Sequence, residues 1–133
     1  MRIWLFLGGL NGLLAVAAGA YGWHWLEVSN PVIRDTFLMG SDYQMWHALA
    51  LLAVAWLASR QTAESGESGR QGSGAIAIRI AGLAFAIGIV LFSGSLYAIG
   101  LIGTIPDINA APAGGVCLII GWAALIWAAV VRA

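Results

Sequence analysis

Residues 78–102 read IRIAGLAFAIGIVLFSGSLYAIGLI, and beyond Arg79 the stretch carries no charge. A helix crosses the hydrocarbon core of a bilayer with about 20 apolar residues. This stretch is long enough, and its small residues fall at helical spacing. Gly82, Ala86, Ser93, Tyr97 and Gly100 share one stripe, and Ala84, Gly88, Ser95 and Ala98 share another. Helices in lipid associate through close packing of small residues. Two such stripes predict a membrane helix packed on more than one side.

Working outward, three further segments read as spanning helices: 3–22, 42–59 and 112–131. The second is the shortest. Its start is signalled by Ser41 and Gln44, which have the spacing of a capping box, with Gly40 ending whatever precedes it. Pro112 suits the first turn of the last helix, where a missing N–H costs nothing. Between the first two spans, Ser29, Asn30 and Pro31 form a helix-start signal. The near-helical spacing of Val32, Ile33, Phe37 and Leu38 then predicts a short amphipathic helix over about 31–39, lying in the interface with Arg34 and Asp35 toward water. Residues 60–74, RQTAESGESGRQGSG, read as a flexible solvated loop. The expected architecture is an all-α integral membrane protein, a four-helix transmembrane bundle with one interfacial helix.

Composition agrees. Hydrophobic types make up 61% of the 133 residues and charged types 9%, against roughly 25% charged in a soluble domain. Six arginines balance six acids and there is no lysine, so no nucleic-acid footprint exists. One cysteine, Cys117, rules out a disulfide framework. Four crossings put Arg2, Arg60, Arg70, Arg79 and Arg132 on one side and Arg34 on the other, which predicts cytoplasmic termini. The rival reading of residues 3–22 is a secretory leader cleaved near Ala20. Against it stands the packing stripe of Gly8, Gly12, Ala15, Gly19 and Gly22, which a discarded leader would not need.

The interior is expected to carry Gly8, Asn11, Gly12, Gly19, Gln44, His47, Ser93 and Tyr97. Met45, Leu49, Leu52 and Trp56 face lipid, while Gln44, His47, Ala48, Leu51 and Ala55 face the bundle. Trp4, Trp56 and Trp127 read as one aromatic belt, and Tyr21, Trp23, Trp25, Tyr43 and Trp46 as the other.

Three stretches and a short motif carry a resemblance. They are LNGLLAVAAGAYGWH (Leu10–His24), YQMWHALAL (Tyr43–Leu51), LFSGSLY (Leu91–Tyr97) and the Pro-x-Gly-Gly of Pro112–Gly115. Together they resemble the small bacterial inner-membrane family known as domain of unknown function 423, and eukaryotic transmembrane protein 256 is similar. The family pattern has Gly-Ala-His where this chain has Gly22-Trp23-His24. It has threonine and isoleucine around the late proline, where Ala111 and Ala113 stand here. The resemblance implies a four-helix membrane protein and brings no activity with it.

His24 and His47 are the only histidines, and both are expected near the non-cytoplasmic end of the bundle. With Asp42 or Glu27 they could ligate a metal. They could also hold a haem or pass protons. The plainer reading has His47 hydrogen-bonding to Tyr97, Ser93 or a backbone carbonyl, with His24 in the headgroups and no cofactor. No nucleophile–base set, His-Glu-x-x-His, Gly-x-Ser-x-Gly or phosphate loop occurs. No paired carboxylates are expected at depth, so an enzyme is not expected. The expected role is a structural or accessory subunit of a larger membrane assembly, an energy-transducing one by the localisation of similar proteins. Its partners would be the bilayer and other membrane subunits or further copies of itself. The alternative is a small proton- or ion-linked channel or transporter using His47.

Overall fold

The computed structural model describes residues 1–27, 29–65, 72–103 and 110–132. The fold is all-helical, with no strand among the described residues: α1 (Arg2–His24), α2 (Pro31–Ser65), α3 (Ser73–Ile102) and α4 (Ala110–Arg132). By length and composition α1, α3 and α4 can each cross a membrane. The polar groups of α2 place it outside that class.

Consecutive helices run antiparallel. Gly8 faces Ala48 and Leu52 while Gly22 faces Phe37 and Leu38, which sets the α1–α2 register. Gly40 faces Leu96 and Tyr97, and Gly88 faces Gly114 and Leu118, which sets the other two. Every extensive interface joins neighbours in sequence: α1 with α2, α2 with α3, and α3 with α4. The core is densest where α2, α3 and α4 meet, around the fully buried Leu51, Val54, Ile78 and Phe85.

Residues 31–39 are not a separate interfacial helix, because they continue into 42–59 as one 35-residue helix. The expected stop signals are used elsewhere. A Cβ on Gly40 would lie 3.0 Å from the Tyr97 ring and 3.2 Å from Leu96 Cβ, so this glycine serves close approach to α3. Ser41 does not cap a helix, since its hydroxyl donates across the interface to the Ala15 carbonyl at 2.8 Å. The start at Pro31 is as the sequence predicts, with Asn30 Oδ1 accepting from the Val32 N–H at 3.0 Å. Arg34 does not simply face water. Its guanidinium turns back to donate to the Leu26 carbonyl at 2.9 Å and ties the α1–α2 connection.

Helix α2 also runs on to Ser65 and α3 begins at Ser73, so both ends of the expected 60–74 loop are helical. Its centre, 66–71, lies outside the described residues. Helix α3 ends at Gly103, whose φ of 75° only glycine adopts without strain, and the Gly103 N–H donates to the Ile99 carbonyl at 2.9 Å.

Candidate functional site

The polar side chains that the sequence places inside do converge, and they do so at mid-bundle. Gln44 is the centre of a ladder that ties three helices together. Its Nε2 donates to Asn11 Oδ1 of α1 at 2.9 Å, and its Oε1 accepts from the Tyr97 hydroxyl of α3 at 2.6 Å. Asn11 Nδ2 in turn donates to the Leu7 carbonyl at 2.9 Å. A buried amide left unpaired in an apolar setting would cost several kcal/mol in order of magnitude. Here each amide has partners, and Gln44 is buried.

His47 lies one turn further along α2. It is 4% exposed, and its ring contacts Phe85 at 5.6 Å and Trp122 at 6.0 Å between centroids. The indole N–H of Trp122 is 3.2 Å from Nε2, and the Tyr43 carbonyl is 2.6 Å from Nδ1. An indole N–H only donates and a carbonyl only accepts. Together they assign the neutral tautomer with its proton on Nδ1, and both ring nitrogens are engaged. The backbone carbonyl is one of the partners expected from sequence. Trp122 is not, and Tyr97 bonds to Gln44 instead of His47.

The two histidines are not brought together. His24 is exposed at the end of α1, with its ring beside Trp25 at 5.8 Å. Gly22 packs against Phe37 and Leu38, and His47 is nine residues beyond Leu38, about 14 Å along the helix axis. The chain from His47 to Trp122 sits at the middle of the helices and not one turn below an end. Among the described residues no group of three or more His, Cys, Asp or Glu can hold a metal ion.

The remaining predicted positions divide. Gly8 and Gly19 pack against α2, where an added Cβ would lie 2.7 Å from Leu52 and 3.0 Å from Ser41. Gly12 does not, because a Cβ there meets nothing within 4 Å. Ser93 is 2% exposed, and its hydroxyl has no hydrogen-bond partner among the described residues. The inward face of α2 is as expected, with Gln44, His47, Ala48, Leu51 and Ala55 all buried. On the lipid-facing side Leu49 and Trp56 are exposed, but Leu52 is half-covered by Gly8 of α1.

Two belt aromatics prove to be packing residues. The Tyr43 ring lies 4.6 Å from Phe92, deep in the bundle. The ring of Trp4 covers Gly82 and links α1 to α3. Two residues were missed altogether. Gly114 sits directly on the Phe92 backbone, and the signal available was its place in Pro-Ala-Gly-Gly. Trp122 carried no such signal, since a tryptophan in an apolar helix reads equally well as an anchor.

Comparison with known proteins places this arrangement. A family model described as a protein of unknown function (DUF423) matches residues 18–115. The UPF0382 membrane protein YwdK of Bacillus subtilis is 40% identical over 98% of both chains. A UPF0382 membrane protein of Haemophilus influenzae is 33% identical over 93% of this chain and 90% of its own. The UPF0382 inner membrane protein YgdD of Escherichia coli is 30% identical over 97% of this chain and 90% of its own. No solved structure matches. The matched region covers about three quarters of the chain and includes Gln44, His47, Tyr97 and Gly114, and with these relatives it shows that the chain belongs to the DUF423 family of bacterial membrane proteins.

Proposed function

We propose that the protein is a non-enzymatic structural or accessory subunit of a larger assembly in the bacterial inner membrane, crossing it four times with both termini in the cytoplasm. The carrying observation is that the deep amide, phenol and imidazole groups are spent on one another, on an indole or on backbone. Gln44 bonds to Asn11 and Tyr97, and His47 bonds to Trp122 and the Tyr43 carbonyl. A catalytic or conducting group needs free valences facing substrate, ion or water. These groups instead lock helix to helix, and the outer faces of α1 and α4 present large apolar side chains such as Phe6, Leu13, Ile119 and Ile126.

The test is gentle detergent extraction of the tagged protein at native expression, followed by native sizing and mass spectrometry. The expected outcome is co-migration with other membrane subunits in fixed ratio. Migration as a lone particle or homo-oligomer would count against it.

The alternative is a proton- or ion-linked pathway through His47, favoured by the mid-depth position of that ring. His47→Ala separates the two. Lost assembly follows from a packing role, while a normally assembled protein with altered flux in vesicles would establish transport.

A further inference from the structure

Between α1 and α3 the bundle leaves a cleft of about 630 Å³, floored by Phe37 and Gln44 of α2. That is within the size range of small-molecule sites, about 300–1,000 Å³. Ala17, Ala18 and Gly94 give it width, since their side chains are short or absent. No charged residue lines it. Of its polar residues, Asn11, Gln44 and Tyr97 already bond to one another or to backbone, and Tyr21 is exposed. Ser93 differs from all of these. Ser95, two residues away, returns its hydroxyl to the Leu91 carbonyl at 2.5 Å, whereas Ser93 makes no such bond, is 2% exposed and lines the cleft. A hydroxyl that lines an apolar cleft without a partner favours a group that satisfies it there.

We propose that this cleft binds a neutral lipophile, a hydrocarbon body carrying one carbonyl oxygen, with that oxygen accepting a hydrogen bond from Ser93. The apolar walls select hydrocarbon. The absence of a facing charge selects against an ionised head, whose desolvation nothing would offset. A carbonyl accepts the serine proton without importing a donor that would itself need burying. The rings of Tyr21, Phe37 and Tyr97, with successive centroids 5.8 and 4.9 Å apart, line the same cleft and offer aromatic faces to the hydrocarbon. This binding role goes beyond the structural reading above and does not depend on it.

The test uses the full chain in phosphatidylcholine nanodiscs with decylbenzophenone, a neutral ketone that crosslinks to nearby C–H bonds on irradiation. Labelling is expected on the α1 and α3 peptides holding Ala17 and Gly94. Gly94→Leu fills the cleft where an added Cβ meets nothing within 4 Å, and it should remove that labelling. Gly9→Leu is equally unobstructed and outside the cleft, and it should leave labelling unchanged. In competition, hexadecanone should displace the probe about three- to tenfold better than hexadecane, the ratio one hydrogen bond supports. Ser93→Ala should erase that ratio. Equal competition by ketone and alkane in the unaltered protein would overturn the proposal, as would labelling spread over the outer face of α4 and insensitive to Gly94→Leu.

Discussion

At the scale of single residues, Gln44 shows how much one amide can fix. It accepts from α3 and donates to α1, so it sets the relative height of three helices at once. Such bonds within membranes are worth about 0.6 kcal/mol on average and up to about 1.7. The Tyr97–Gln44 bond, at 2.6 Å and half-buried, belongs at the upper end. A double-mutant cycle of Tyr97→Phe and Gln44→Leu, read by reversible unfolding in detergent, should give a coupling of roughly 1–2 kcal/mol. A coupling near zero would mean the two side chains find other partners. For His47, nitrogen-15 NMR should find the proton on Nδ1. Trp122→Phe removes the donor to Nε2, while the Tyr43 carbonyl still requires a proton on Nδ1, so the tautomer should persist and only the Nε2 resonance should shift as its hydrogen bond is lost. That shift, more than lost stability, distinguishes a hydrogen-bonded indole from mere ring packing.

At the scale of helices, glycines decide where elements touch. Gly114 meets the backbone of Phe92, which has no rotamer by which to retreat. Gly114→Ala should therefore cost roughly 1–3 kcal/mol, as overpacking does. Gly12→Ala, at an open position in the same kind of helix, should stay within about 0.5 kcal/mol. Thermal unfolding of the two variants in one detergent checks the contrast, and equal effects would sink it. The same residues mark the limit of what sequence conveys. The periodicity of 78–102, the inward face of α2 and the Asn30–Pro31 start were legible because each rests on local pattern or backbone chemistry. The continuity of α2 was not. Gly40, Ser41 and Gln44 make a sound local stop-and-start signal, and only the approach of α1 and α3 diverts them to tertiary bonds. Likewise the pairing of His47 with Trp122 joins residues far apart in sequence, and no local pattern encodes it.

At the scale of the whole molecule, α2 is about 52 Å long, well beyond the roughly 30 Å of a hydrocarbon core. On the proposed fourfold crossing it must tilt or project, and Arg34 and Arg60 lie toward its opposite ends. Arg60 sits over the Trp56 ring at 5.2 Å, an arrangement suited to a helix leaving lipid on that side. Single cysteines in a Cys117→Ser background test the direction of crossing. Ser29→Cys should react with an impermeant maleimide on intact cells, and Ser73→Cys only after the membrane is permeabilised. The reverse pattern would invert the proposed topology.

The interfaces of this bundle link each helix to the one made just before it. During synthesis, then, no helix has to wait in lipid for a mate not yet translated. α2 finds α1 already inserted, α3 finds α2, and α4 finds α3. The late step is the joining of α4 to the middle of α2 through Trp122 and His47, which can close only when the chain is complete. A chain truncated after α3 and released from the ribosome should thus hold the Asn11–Gln44–Tyr97 contacts while the His47 ring still lacks its indole partner.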